Sequence, residues 1–156
     1  MSLNMYFECR KRAAVWNEKL NSREGAAELL GISESSLAHY ELGITKSVPV
    51  DVVVLMSEIY KAPELKCLYC KTECPVGKNF PIATESGSIE EITVQLLDSL
   101  DEDKIKHIIK TMIKVAADGT VSEEEMQDIF PIVEMLNRIQ KAASKLKLMT
   151  EQKNER

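Results

Sequence analysis

No stretch of this 156-residue chain approaches the roughly 18 to 20 consecutive apolar residues needed to cross a bilayer. Near the start, Arg10, Lys11 and Arg12 follow Phe7 with no apolar segment behind them, which is not the pattern of a secretory leader. The expectation is a cytoplasmic protein with no membrane partner, whose four cysteines stay reduced. A surplus of positive charge is also lacking. The formal net charge of −5 excludes a surface coated in Lys and Arg for sequence-blind binding of polyanions. Histidine is reduced to His39 and His107, on separate predicted helices in different halves. No glycine-rich phosphate loop, G-x-S-x-G elbow or H-E-x-x-H occurs, and the carboxylate clusters fall on polar helix faces. Catalysis is not expected.

Two patterns with metal-like spacing are incomplete. Cys67, Cys70 and Cys74 have no fourth ligand nearby, although the distant Cys9 or His39 could fold onto them. Cysteines near a helix end also serve as small hydrophobes, so the reading is a structural thiol cluster. The run from Asp118 to Glu125 looks like the second half of a calcium loop, but the register puts Lys114 first and Ala116 third. Neither supplies an oxygen ligand. No metal and no cofactor are expected.

What is present is helical periodicity and uneven charge. Residues 1–79 carry ten basic and ten acidic side chains, whereas residues 80–156 carry ten and fifteen. Any nucleic-acid surface is therefore expected in the first half, and a partner-facing or oligomerising role in the acidic second half. The periodicity predicts an all-α protein. Phe7, Ala14, Val15 and Trp16 suit the apolar side of a helix ending near Leu20. Ser22 is a candidate N-cap for a second helix that buries Ala26, Ala27 and Leu30 and stops at Gly31. Ser33 caps a third helix, which buries Leu37 and Tyr40 and stops at Gly43. A fourth helix is read over 48–60 despite the β-branched Val52 to Val54, with Pro49 at its first position. A fifth runs from Pro63 to about Cys70, and an irregular linker spans 71–87.

Beyond the linker, Ile89, Ile92, Leu96 and Leu100 predict one amphipathic helix, and Ile105 to Ala116 the next, broken at Asp118-Gly119. Ser122 and Glu125 form a capping box for the last helix. Its apolar seam is read as Ile129, Ile132, Leu136, Ile139, Ala143 and Leu146, with a kink or break near Pro131. These divisions give a DNA-binding domain at 5–70 and a helical, coiled-coil-like dimerisation region at 88–150.

The segment from Ser22 to Gly43 reads SREGAAELLGISESSLAHYELG. Ala27 is small where two helices must cross, Gly31 supplies the sharp turn, and Ile32, Leu37 and Tyr40 anchor the second helix. Glu34, Ser35, Ala38 and His39 are left pointing outward, a short and mostly small face suited to a major groove. Over Phe7 to Cys70 the sequence resembles the lambda-repressor/Cro-like (XRE) family of bacterial and phage regulators. It resembles in particular single-copy regulators of Firmicutes and their mobile elements, with the ELGITK-x-VPVD stretch and the C-x-x-x-C-P segment. That resemblance implies a five-helix DNA-binding domain, a transcriptional repressor, double-stranded DNA as partner and a homodimer on paired half-sites. It implies a phosphate contact for Arg23, base or phosphate contacts for Ser33, Glu34, Ser35 and His39, and a backbone contact for Lys46. The alternative is a protein-interaction or antitoxin-like adaptor that keeps the fold. Glu34 and Leu42 favour the adaptor, Arg23 and Lys46 the regulator.

Overall fold

Asn4 opens the first helix by accepting a hydrogen bond from the backbone N–H of Tyr6 at 2.9 Å. A computed structural model describes residues 4–117 and 119–154. Every regular element among them is helical: α1 (Met5–Ala13), α2 (Arg23–Leu30), α3 (Glu34–Glu41), α4 (Val50–Ile59), α5 (Glu64–Thr72), α6 (Ile89–Ser99), α7 (Glu102–Ala116) and α8 (Glu123–Asn154), with short 3₁₀ turns at Glu18–Asn21 and Gly77–Asn79. The protein is all-α, as its periodicity predicts. None of the described helices is long and apolar enough to cross a membrane.

Helices α1 to α5 share one core, centred on Tyr6, Leu20, Leu37, Met56, Tyr60 and Leu65. The first helix differs from expectation. It ends at Ala13 and buries Tyr6, Cys9, Arg10 and Ala13, while Val15 is 86% and Trp16 49% exposed. The chain turns after Ala13, and Asn17 accepts from Lys19 N–H to start the separate 3₁₀ turn that delivers Leu20 to the core. In α4 the β-branched run divides between faces, with Val52 and Val53 buried and Val54 exposed, so helix geometry satisfies all three. Pro49 stands just before the first turn rather than in it, and Pro63 does the same for α5.

The segment 71–87 is pinned to its neighbours. Lys71 Nζ donates to the carbonyls of Lys78 and Phe80, and Glu73 accepts from Tyr6 Oη at 2.6 Å and from Val48 N–H at 2.8 Å. Ala83 is buried, its N–H donating to Ser144 Oγ on α8.

Helix α8 runs unbroken through Pro131, which removes the break from the expected kink or break. One missing N–H is a local loss that packing on either side outweighs. Its seam is also shifted. Ile132 is buried as expected, but Ala142, Lys145 and Leu148 take the inner positions while Leu136 and Ala143 are exposed. The shift follows from packing against α6, where Lys145 Nζ pairs with Glu91 at 2.5 Å and Ile92 is buried. Ser122 and Glu125 form the capping box, each accepting from the other's backbone N–H. Gly119 adopts φ +73° in the turn before it, while the Asp118 half of the predicted breaker lies outside the described residues. At its far end α8 reaches the first five helices, with Gln152 Nε2 donating to Glu64 at 3.1 Å.

Candidate nucleic-acid interface

Helices α2 and α3 are joined by a turn of three residues. Ser22 Oγ accepts from Gly25 N–H at 3.0 Å to start α2, and Gly31 ends it at φ +65°, where a side chain would be strained. Ile32 N–H reaches back to Ala27 at 3.1 Å. Ser33 Oγ then accepts from Ser36 N–H at 3.0 Å to start α3. These are local bonds between residues a few positions apart, which is why short polar caps and one glycine suffice to shape the corner.

Two side chains hold α3 from inside. Leu37 is fully buried, and Glu41 is the second anchor. Its carboxylate receives Arg10 Nε at 2.5 Å and Arg10 Nη2 at 3.0 Å as a fork, and Arg23 Nε at 2.8 Å. Arg10 is 2% exposed, so this pair is cut off from water. Its remaining nitrogen donates to the carbonyls of Leu20 and Asn21, and its guanidinium lies 5.4 Å from the Phe7 ring centre. A buried guanidinium without a counter-charge would be strongly disfavoured, so α1, α2 and α3 are bound into one relative orientation. Asn4 Nδ2 adds a bond to the Tyr40 carbonyl at 2.7 Å. Tyr60, buried near Glu41, has its phenol pushed above its ordinary range by burial and by that carboxylate.

The outward face follows from this inner one. Ser33, Glu34, Ser35 and His39 are all exposed, while Ser36, Ala38 and Tyr40 are half-buried. Lys46 is exposed in the loop after α3, whose far end is held by the bond between Val48 and Glu73. Five of the six candidate residues are therefore on the surface. Arg23 is the exception: its side chain is 35% exposed and spends its Nε on Glu41. The sequence reading missed Glu41 and Arg10, since charged residues were assigned to the surface. The hint lay in the Tyr40-Glu41-Leu42-Gly43 end of the segment, which sets a glutamate beside an aromatic anchor.

Arg10 is internal, Arg12 pairs with Glu64, and Lys19 pairs with Glu28 at 3.2 Å. Leu42 and Ile44, at 62% and 64% exposure, add apolar surface beside the end of α3. Cys67, Cys70 and Cys74 are half-buried free thiols, and burial pushes the Cys67 thiol up. Among the described residues no group of three or more His, Cys, Asp or Glu is placed to hold a metal ion. Comparison with protein-family models, with curated proteins and with solved structures found no match.

Proposed function

We propose that the chain reads a specific double-stranded DNA sequence through α3 and regulates transcription as a cytoplasmic repressor of the lambda-repressor/Cro-like helix-turn-helix type, acting as a homodimer on paired half-sites. The carrying observation is the α2–turn–α3 unit. Leu37 and Glu41 brace it from behind, and small or polar side chains cover its outer face. A helix that enters a major groove needs that combination: rigid support, and a front without bulk. Within it, His39 has the chemistry to donate to a guanine acceptor and Glu34 to accept from a cytosine amine. Ser33 and Ser35 suit phosphate oxygens, and Lys46 and the free donors of Arg23 suit the backbone. Specific contacts rather than a broad positive field would have to carry the affinity, since Arg10 is buried on Glu41 and Arg12 and Lys19 are ion-paired.

A protein-interaction or antitoxin-like role is the second reading, favoured by one observation: the exposed Leu42 and Ile44 border α3 where a phosphate ligand would be useful. Selection from a random pool of duplex DNA separates the two. The regulator enriches a symmetric site, and His39→Ala then relaxes preference at one base pair at a cost of about 1–3 kcal/mol. A pool that shows no enrichment supports the adaptor.

A further inference from the structure

We propose that the C-terminal helices bind a small carboxylic acid with an apolar body, in a cavity between the end of α6, the start of α7 and α8. The cavity has a volume of about 230 Å³. Ile108 of α7 and Pro131, Ile132 and Met135 of α8 give it an apolar wall. A cavity of roughly 150 Å³ with such a lining holds benzene, so this one has room for about nine non-hydrogen atoms.

Its polar end lies at Ser99, and the groups there are uncommitted. Ser99 is 4% exposed and lines the cavity, yet its hydroxyl has no hydrogen-bond partner among the described residues. A hydroxyl placed so deep normally finds one. Among the described residues, Tyr60 Oη is the one unpartnered side-chain oxygen that is sealed completely, so the Ser99 oxygen keeps an opening.

The surrounding charge selects the occupant. An adjoining groove shares Asp98, Ser99 and Arg138 with the cavity and continues to Lys141 and Lys145. Asp98 is held by Lys104 Nζ at 2.7 Å, and Lys145 is held by Glu91. Arg138 and Lys141 form no ion pair among the described residues. Each stands only within electrostatic reach of a carboxylate that another lysine already holds. The unpaired acid of the lining, Asp128, is about 15 Å from Arg138 along α8, at 1.5 Å per residue. The free charge beside Ser99 is therefore positive.

These groups fit a single carboxylate. A guanidinium binds one as a fork, and a serine O–H has a further donor to offer. An ammonium group would meet Arg138 and Lys141 as like charges, and a doubly charged anion would be opposed by Asp98. The apolar body then lies against Ile132 and Met135, where burial favours it. This site belongs to α6, α7 and α8 alone and does not rest on the DNA reading.

Calorimetric titration of the full chain without DNA tests the assignment, using 3-phenylpropionate, 3-phenylpropan-1-ol and 3-phenylpropylamine as probes of one shape. The acid is expected to bind once per chain with a Kd on the order of 0.1–1 mM, the range for a ligand of this size. It should bind about tenfold more tightly than the alcohol or the amine. Arg138→Gln, at an exposed position, should abolish that preference and leave the affinity for the alcohol unchanged. Ser99→Ala should weaken the acid about fivefold. Equal affinity for the three probes, preference for the amine, or no binding of the acid up to about 10 mM overturns the proposal. Acid binding that is indifferent to Arg138→Gln overturns it as well.

Discussion

Arg23 donates from Nε to the Oε2 of Glu41 at 2.8 Å, and that same oxygen receives Arg10 Nη2 at 3.0 Å. One buried carboxylate thus neutralises two guanidiniums, one sealed in the core and one at the surface. For Arg23 the bond fixes where the group sits and still leaves most of its five donors free. A phosphate reaching it would meet a guanidinium already oriented, at little further loss of side-chain freedom.

The two arginines should therefore respond differently to mutation. Glu41→Gln leaves Arg10 buried without a counter-charge and is expected to cost about 3–5 kcal/mol in urea denaturation. Arg23→Ala removes a partly exposed pairing and should cost less than about 1 kcal/mol of stability. It should nonetheless weaken binding to all DNA sequences alike. Equal stability losses would make Arg23 a core brace rather than a DNA ligand.

Alkaline pH should expose a second buried group. Burial pushes the Cys9 thiol up from its ordinary 9.0 to about 11, against the opposing pull of Arg12. The native state then keeps this proton at pH values where the unfolded chain has released it. The stabilisation is complete below about pH 9 and is lost as pH rises through the folded value, amounting to roughly 2–3 kcal/mol. Tyr6 and Tyr60, raised first of all by burial, carry the loss to still higher pH. Urea midpoints measured from pH 8 to 10.5 should fall less steeply for Cys9→Ala than for the parent. Parallel slopes would mean that Cys9 is not the group responsible.

Glycine 25 offers a test in which two rules disagree. It lies in the first turn of α2, where alanine ordinarily favours a helix by about 1 kcal/mol. A Cβ at that position would stand 2.3 Å from the carbonyl oxygen of Lys19 and 3.1 Å from Ser22 Oγ. Relieving the clash means parting α2 from the preceding 3₁₀ turn that carries Leu20. Gly25→Ala should lower the melting temperature, at a cost of about 1–3 kcal/mol, despite its better helix propensity. A higher melting temperature would show that the two elements separate freely.

Caps and turns were legible in the sequence because they are local. Ser22, Gly31, Ser33 and the Ser122–Glu125 box act over three or four residues, and each stands where the pattern places it. The outward set on α3 was read from the anchors Ile32, Leu37 and Tyr40; Glu34, Ser35 and His39 are exposed, whereas Ala38 and Tyr40 are both half-buried. The brace behind it was not legible: Arg10 and Glu41 are 31 residues apart, and each looks like a surface charge until the other is beside it. The inner face of α1 was misread for a related reason, because Val15 and Trp16 continue an apolar rhythm past the residue where the helix stops. In α8 two seams one residue apart both have plausible spacing. Contact with α6 through the Lys145–Glu91 pair selects the one that periodicity alone left undecided.

From Ile132 to Leu148 helix α8 is continuous, a span of about 24 Å at 1.5 Å per residue. Its last turns grip α5 through Gln152 and Glu64, and its first turns leave Phe130 and Val133 exposed. A floppy tether would let two reading heads settle on targets at many separations; a rigid rod permits few. The DNA recognised by such a pair should thus be intolerant of changed spacing. Inserting about five base pairs, half a turn of the double helix, between the two halves of the target would swing one head to the wrong side while leaving every contacted base in place.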